Sequence, residues 1–315
     1  MPSTLVTGAA GQIGADLVRA LRARDGADAV VATDLTLRPD LWGDGPAAVL
    51  DVTDAAALAA LVRQHDVGTV YHLAGLLSAT GEQKPDLAWA VNLGGLRHVL
   101  ALARDRGLRV FWPSSIAVFG PTTPRVPPQQ TVLEPTTMYG VTKVTGELLC
   151  QYAFLRDGVD VRSLRYPGLI SHSAPPGGGT TDYAVAIFHA AAAGRPYECF
   201  VGLDTRLPML YMPDAIEGTL ALMDAPAEAL TVRTSYNLGG LSFTARELAE
   251  TVAARVPGFE TTFAPDFRQA IADSWPDDVD DAAARHDWGW APRYDLAALA
   301  DDMLAHLLAP AAAAR

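Results

Sequence analysis

Apolar runs of five to seven residues alternate with longer amphipathic stretches through the first half of the chain. The short runs are bounded by turn residues, as is typical of buried strands, whereas the longer stretches repeat their apolar positions with helical spacing. Predicted strands cover residues 3–7, 29–33, 47–52, 69–74, 110–114 and 160–166, and predicted helices cover 15–24, 54–65, 85–106 and 139–156. This alternation predicts an α/β fold with a Rossmann-type doubly wound parallel sheet, which binds ligands at the carboxyl ends of its strands.

The pattern changes beyond Pro167. A glycine-rich loop occupies residues 177–182, and further helices are predicted up to residue 193 and over 213–225, 244–256 and 296–308. We expect residues 1–170 to form the Rossmann domain and residues 171–309 to form mainly a smaller C-terminal substrate-binding lobe, interleaved with the first. The alanine-rich residues 310–315 are predicted to be a disordered tail.

Three glycines lie between the first predicted strand and the first predicted helix. In this context Gly8 permits a tight turn, Gly11 lets the backbone approach a pyrophosphate, and Gly14 allows close packing of helix on strand. The N–H groups at the start of the helix, at Gln12 and Ile13, can bind the phosphates. The spacing is GxxGxxG rather than GxGxxG, and a glycine turn without a ligand is the alternative interpretation.

The second predicted strand ends at Asp34. A carboxylate at this point can accept hydrogen bonds from the ribose hydroxyls of adenosine and repels a 2′-phosphate. The nearest arginine after it is Arg38, and the glycine turn contains none. The sequence therefore predicts NAD rather than NADP, although a strand-end aspartate can also simply cap a turn.

Tyr139 and Lys143 lie four positions apart in the sequence. The chain has only two lysines against 22 arginines. Residues i and i+4 share a helix face, so the ammonium can lie beside the phenol. A nearby cation lowers the pKa of tyrosine from about 10 toward working pH, which makes it a usable general base. A surface lysine on an amphipathic helix is the alternative, because YxxxK often arises by chance.

Composition narrows the class of protein. The 315 residues carry a net charge of −12 with a pI near 4.9, which argues against nucleic acid as a partner. No apolar run reaches the length of a membrane span, and no signal peptide is recognised, so we predict a soluble cytoplasmic protein without a membrane partner.

Cys150 and Cys199 are too few for a disulfide framework, and Cys150 is expected to be a small buried hydrophobe. The histidines show no HxxxH or HExxH spacing, so no metal site is expected.

With these motifs in this order, the chain resembles an extended short-chain dehydrogenase/reductase over nearly its whole length. The resemblance implies that Ser115, with Ser114 beside it, holds the substrate oxygen. It also implies that Tyr139 is the acid/base and that Lys143 holds the nicotinamide ribose. Asn92 lies where the family has a structural asparagine. Beyond the glycine turn, the cofactor contacts expected from this resemblance are Asp34, Asp51, Val52, Leu73, Ala74, Gly75, Asn92, Tyr139, Lys143 and Tyr166.

Several local strings are similar to L-threonine 3-dehydrogenases of this superfamily, namely residues 112–120, 165–171, 178–183, 207–215 and 287–290. UDP-sugar epimerases usually carry an asparagine where this chain has Pro167 and Gly168, which counts against a sugar nucleotide. The resemblance implies NAD-dependent oxidation of L-threonine at C3 to 2-amino-3-oxobutyrate. That product is then converted to glycine by a CoA ligase or decarboxylates to aminoacetone.

A small zwitterionic substrate requires short polar groups for its carboxylate and ammonium. Ser78, Thr180 and Thr181 could donate to the carboxylate, and Asp182 could lie near the ammonium or hold the loop. The glycines at 177–179 make the segment a candidate lid. The alternatives are a solvated linker whose Thr-Thr-Asp caps the next helix, and an ordinary loop hydroxyl at Ser78.

Two rival functions remain open. A nucleotide-sugar epimerase or dehydratase would need arginines that clamp a diphosphate, and Arg206, Arg233 and Arg268 are scattered in the sequence. A non-catalytic NAD-binding regulator would have no reason to retain the serine, tyrosine and lysine together. Extended members of the family usually pair through a four-helix bundle, so we expect a homodimer formed by the helices near 85–106 and 137–156.

Overall fold

The structure is a computed structural model that describes residues 2–177 and 179–309. Its strands are β1 (Ser3–Thr7), β2 (Val30–Asp34), β3 (Ala47–Val49), β4 (Val67–His72), β5 (Arg109–Ser115), β6 (Val161–Tyr166), β7 (Gly168–Ile170), β8 (Tyr197–Cys199), β9 (Arg206–Tyr211), β10 (Tyr236–Asn237), β11 (Leu241–Thr244) and β12 (Thr261–Phe263). Its α-helices are α1 (Gln12–Asp25), α2 (Pro39–Trp42), α3 (Ala55–Gln64), α4 (Ser78–Gln83), α5 (Pro85–Trp89), α6 (Gly95–Arg106), α7 (Met138–Asp157), α8 (Tyr183–Ala192), α9 (Met212–Asp224), α10 (Ala245–Ala253), α11 (Arg268–Asp273), α12 (Ala282–Trp288) and α13 (Leu296–Leu308).

Seven of these strands form one sheet in the order β10-β6-β5-β4-β1-β2-β3. Every pairing within it is parallel. The strand order reverses between β1 and β4, which leaves a crevice at their carboxyl ends. The predicted Rossmann-type doubly wound sheet is therefore confirmed.

Helices cover both faces of this sheet. On one face, α1 and α9 pack through Leu17, Leu21 and Ile216. On the other face, α3, α6 and α7 contribute residues such as Leu58 and Cys150. Burial on both faces explains why the strands are almost continuously apolar.

A second core lies in the C-terminal part of the chain. A three-stranded sheet, β11-β9-β7, and a parallel pair, β12-β8, are covered by α8, α10 and α13. The chain also returns to the first sheet, because β10 pairs with β6 and α9 packs on α1. The predicted tail at 310–315 lies outside the described residues.

Two features near the crevice were not predicted. The helix expected over 85–106 is present, but a π-helical turn at Ala90–Gly94 divides it into α5 and α6. Helix α4 (Ser78–Gln83) lies where the sequence analysis considers a loop. Among the described helices, none is long and apolar enough to cross a membrane.

Candidate active site

The glycine turn between β1 and α1 is shaped by close backbone contacts. Gly8 has φ +70°, and a Cβ there would lie 2.6 Å from the Ala74 nitrogen. A Cβ on Gly14 would lie 2.2 Å from the Gly8 carbonyl oxygen. Two glycines are thus required by packing, and they bring the segment after β4 against the turn.

Gly11 has a different role from the other two glycines. It is exposed, and the nearest atom to an added Cβ is the Gly8 oxygen at 3.2 Å. It caps α1, whose first turn contains Gln12 and Ile13, and no described side chain hydrogen bonds to this cap. The helix N-terminus therefore presents backbone N–H groups to the crevice, as a pyrophosphate requires.

Asp34 lies at the end of β2, next to the same turn. Its Oδ2 accepts a hydrogen bond from the Ala10 N–H at 2.9 Å, and Oδ1 accepts one from Leu35 at 2.7 Å. The carboxylate is only partly buried, so it can still accept hydrogen bonds from ribose hydroxyls. The geometry of the turn and of Asp34 fits an adenine dinucleotide with a free 2′-hydroxyl.

The remaining predicted adenine contacts flank this position. Asp51 is exposed, and its Oδ1 accepts hydrogen bonds from the backbone and side chain of Thr53, which lower the pKa of its carboxyl. Val52 is buried, and its carbonyl lies 3.1 Å from a ring nitrogen of His98. Asp51 can reach a ligand, whereas the Val52 side chain belongs mainly to the core.

We expect Gly14→Ala to weaken both folding and NAD binding. The added methyl overlaps the Gly8 carbonyl, and overpacking of this kind costs about 1–3 kcal/mol. Thermal unfolding and an NAD titration by tryptophan fluorescence measure the two effects. Gly94→Ala is the matched control, because a Cβ there meets nothing within 4 Å. Equal NAD affinity in the Gly14→Ala variant and the native protein would contradict the assignment of this turn.

Ser115 and Tyr139 meet at the carboxyl end of β5. The Ser115 oxygen accepts the Ala117 N–H at 3.1 Å, and the Ser115 hydroxyl is close enough to the Tyr139 phenol to lower the pKa of that phenol. Gly140 makes this approach possible, because a Cβ there would lie 2.2 Å from the Ala117 oxygen. A serine hydroxyl and a phenol side by side can hold one substrate oxygen between them.

Lys143 is buried one turn further along α7. Its Nζ donates to the Pro113 carbonyl at 2.6 Å and lies 5.3 Å from the centre of the Tyr139 ring. The Trp112 ring lies beneath it, 4.6 Å from Nζ. Burial lowers the pKa of Lys143 to about 8, opposed by the nearby Cys150 and by the Glu147 carboxylate.

The sign of the Tyr139 pKa shift differs from the sequence prediction. Burial raises the pKa of Tyr139 to about 12, and the nearby Ser115 hydroxyl only partly opposes this rise. The ammonium of Lys143 donates to the Pro113 carbonyl, and desolvation is the largest influence on the pKa of the phenol. The expectation of a lowered phenol pKa is therefore wrong.

The two adjacent serines face opposite sides of β5, as alternate strand residues must. Ser114 is buried, and its hydroxyl donates to Glu147 at 2.6 Å. Arg165 binds both oxygens of the same carboxylate, at 2.8 and 2.7 Å, and also donates to Asn237 at 3.0 Å. The structure thus places Ser114 in a buried polar network behind the site, and Ser115 alone lies beside the tyrosine.

Asn92 connects the segment after β4 to helix α7. Its amide accepts from the Leu76 N–H at 2.7 Å and donates to the Leu76 carbonyl at 3.1 Å and to Thr142 at 3.1 Å. Thr142 in turn donates to the Tyr139 carbonyl at 2.8 Å. The Asn92 amide therefore links helix α7 to the segment after β4 and is engaged by these protein groups. The neighbouring Gly75 is exposed, with Asn92 Oδ1 3.2 Å from an added Cβ.

Tyr166 is a predicted cofactor contact that the structure does not support. Its side chain is buried in the core beside Phe111, and its hydroxyl is hydrogen-bonded to Thr219. The phenol therefore points away from the crevice. Leu73, by contrast, follows β4 along the crevice floor, where its N–H donates to the Thr7 carbonyl at 3.1 Å.

The predicted substrate residues lie on two separate segments of the chain. Ser78 begins α4, which packs against the start of α7, and Glu82 of α4 accepts the Met138 N–H at 2.6 Å. In the second segment, Thr181 packs on Gly168, where an added Cβ would lie 2.7 Å from the Thr181 methyl group. The Pro167-Gly168 motif thus makes room for the loop.

Asp182 holds the loop, one of the two roles predicted for it. Its Oδ2 accepts the Gly179 N–H at 2.8 Å, and its carbonyl begins α8. Thr180 is buried and Thr181 is partly exposed. The hinge predicted over the glycines at 177–179 includes Gly178, which lies outside the described residues.

The arginines considered for a diphosphate clamp are engaged elsewhere. Arg206 pairs with Glu247 at 3.1 Å, and Arg268 pairs with Asp266 at 2.6 Å while stacking on Phe200. The guanidinium of Arg233 pairs with Asp160 and covers the Phe154 ring. The structure does not bring these three guanidinium groups together.

Sequence reasoning missed the residues that position the catalytic group. Glu147 follows Tyr139 and Lys143 at the next i+4 step, and a carboxylate on the inner face of a helix was a usable signal. Thr142 and Trp112 gave no such signal, because their roles depend on contacts between distant elements.

Comparison with known proteins agrees with this fold. The model of the NAD dependent epimerase/dehydratase family matches residues 4–239, so the chain belongs to that family, whose cofactor is NAD. The predicted resemblance to extended short-chain dehydrogenases/reductases is thereby confirmed.

Individual relatives give more detail. An uncharacterized epimerase/dehydratase of Staphylococcus haemolyticus is 47% identical over 309 residues, which cover 96% of this chain and 97% of the relative. The holo form of an L-threonine dehydrogenase from Cupriavidus necator is 53% identical, with a TM-score of 0.94, and the match covers 97% of this chain and 100% of that one. The apo form of a monomeric L-threonine 3-dehydrogenase from a metagenome is 45% identical, with a TM-score of 0.93, covering 97% and 98%.

Proposed function

We propose that this enzyme oxidises L-threonine at C3 with NAD, forming 2-amino-3-oxobutyrate. One observation carries the proposal: Ser115, at the end of β5, lies close enough to Tyr139 to lower its pKa, in the same parallel sheet as the glycine turn after β1 and in a chain 53% identical to an L-threonine dehydrogenase. Thr181 packs against Gly168, and the short polar side chains of Thr180, Thr181 and Asp182 suit a small amino acid better than a nucleotide sugar.

The proposed chemistry follows from the three side chains. When bound, NAD supplies the hydride acceptor and a positive charge. Ser115 holds the C3 oxygen of the substrate, and Tyr139 as phenolate takes the hydroxyl proton. Lys143 stabilises the phenolate once its ammonium turns from the Pro113 carbonyl toward the crevice. The Tyr139 phenol, with a pKa of about 12, must lose its proton, while the Lys143 ammonium, with a pKa of about 8, must keep its proton. The pH profile of kcat/KM should therefore rise above neutrality and fall again once the ammonium is lost.

The experiment that tests this function is NADH formation at 340 nm with L-threonine. UDP-sugars and a reaction without substrate are run beside it. L-Threonine should support turnover and the sugar nucleotides should not. Turnover with a UDP-sugar alone would favour the epimerase or dehydratase, which the names of the curated relatives leave open. NAD binding without turnover on any of them would favour the non-catalytic regulator.

The proposal includes a place in metabolism. The product would be cleaved by a CoA-dependent ligase to glycine or would decarboxylate to aminoacetone, as part of amino-acid catabolism. Both cysteines are free and buried, which supports a reducing compartment such as the cytoplasm.

A homodimer is also part of the proposal. Val141, Leu148 and Leu155 are exposed along one side of α7, and Leu87 and Trp89 are exposed on the adjacent α5. An exposed apolar stripe of this kind suits the predicted four-helix bundle.

Light scattering should give a mass of twice the 33.3 kDa chain mass. Leu155→Glu should give monomers, whereas Leu308→Glu, at an exposed position on α13, should not. A monomeric native protein, as in the metagenome relative, would refute this part.

A further inference from the structure

His172, Asp302 and His306 form a cluster away from the crevice. His172 lies two residues beyond β7, whereas Asp302 and His306 lie one turn apart on α13. One potential ligand atom from each residue lies within 4.8 Å of the other two. The two imidazole rings are stacked, with centroids 3.8 Å apart and planes within 10°.

The cluster is oriented by its surroundings. The Tyr211 hydroxyl donates to Asp302 Oδ2 at 2.5 Å, and a ring nitrogen of His306, Nδ1, lies 2.9 Å from the Asp302 carbonyl. Hydrogen bonds of these two kinds fix carboxylate orientation and imidazole tautomer at metal centres. If Nδ1 of His306 carries the proton, Nε2 keeps the lone pair for a ligand bond.

We infer that His172, Asp302 and His306 form a binding site for a divalent transition-metal ion, with Zn²⁺, Ni²⁺ and Cu²⁺ as the chemical class. Two imidazoles and one carboxylate are the donors these ions prefer, and they leave coordination positions for water. The inference does not depend on the proposed substrate. It also departs from the sequence expectation of no metal site, because His172 is far from the α13 residues in the chain.

Binding requires a small rearrangement. Tetrahedral zinc with ligand bonds of about 2.1 Å places its donors about 3.4 Å apart, and stacked rings do not aim their lone pairs at one point. His306 is about half exposed, with 49% of its side chain accessible, so its ring can turn toward the ion. The segment between β7 and α8, which carries Thr180 and Thr181, would then be tied to α13.

The test is titration of the full chain, freed of metal by chelation, with ZnCl₂ in a calorimeter at pH 7.5. We expect one saturable site, with the dissociation constant raised at least about tenfold by His306→Gln and by His172→Gln. His286→Gln is the matched control, because His286 is exposed, lies beside an aspartate and is outside the cluster. It should bind zinc as the native chain does.

Electron paramagnetic resonance of added Cu²⁺ provides a second readout. Two coordinated imidazole nitrogens are expected in the native chain and one in each histidine variant, with circular dichroism checking that the variants fold. Absence of saturable zinc binding by the native chain would overturn the inference. Native-like affinity in both cluster variants, or an equal loss in the His286→Gln control, would overturn it as well.

Discussion

Replacing Tyr139 with phenylalanine is expected to lower kcat/KM for L-threonine oxidation by about 10²- to 10⁴-fold, the usual contribution of a positioned general base. The substitution removes only the hydroxyl that lies near Ser115. The glycine turn and Asp34 lie on other elements, so the NAD dissociation constant should remain close to that of the native enzyme. Initial rates at 340 nm and an NAD titration measure both quantities.

Tyr152→Phe is the matched control for this prediction. Tyr152 lies on the same helix, but its side chain is exposed and its hydroxyl contacts Arg156. Loss of the Tyr152 hydroxyl should leave the turnover of L-threonine unchanged. Normal turnover by the Tyr139→Phe variant would show that another group accepts the proton, and lost NAD binding would show that the variant is damaged beyond its chemistry.

Glu147→Ala is expected to reduce the free energy of unfolding by about 3–5 kcal/mol, because it leaves a buried guanidinium without its carboxylate. The side chains of Glu147 and Arg165 are 1% and 4% exposed. Urea denaturation followed by circular dichroism measures the loss. Asp204→Ala, which breaks an exposed pair with Arg246, should change stability little. A small effect of Glu147→Ala would mean that the pair does not hold β5, β6 and α7 together.

The milder Glu147→Gln substitution tests whether the Glu147 carboxylate acts on Lys143 in addition to stabilising the fold. The Glu147 carboxylate raises the pKa of Lys143 against the effect of burial. Its neutralisation should therefore lower the Lys143 pKa below about 8, so that the ammonium is lost at lower pH. The activity that depends on this ammonium should then begin to fall at lower pH than in the native enzyme. An unchanged pH profile of kcat/KM would assign Glu147 a purely structural role.

The sequence predicted the parts of the site that depend on local geometry. A strand, a glycine turn and a helix in succession fix the dinucleotide site, and a spacing of four residues places Tyr139 and Lys143 on one helix face. Asp34 was placed correctly at the strand end for the same reason. Each of these relationships lies within about twenty-five residues of chain.

The errors concern contacts between distant elements. Ser114 and Ser115 have identical side chains, so only the packing of Glu147 and Arg165 against β5 decides which one faces Tyr139. Tyr166 was assigned to the cofactor because it ends a strand, but Thr219 on α9 holds its hydroxyl in the core. The direction of the Tyr139 pKa shift depends on how far folding removes the phenol from water. The spacing of residues along the chain does not indicate this burial.

The most direct test of the central claim uses L-threonine that carries deuterium at C3. If Tyr139 removes the hydroxyl proton while the hydrogen on C3 moves as hydride, the deuterium must appear on the reduced nicotinamide, and mass spectrometry of the cofactor detects it. We predict one deuterium per NADH formed. NADH without deuterium, or a failure of L-threonine to reduce NAD, would contradict the proposed chemistry.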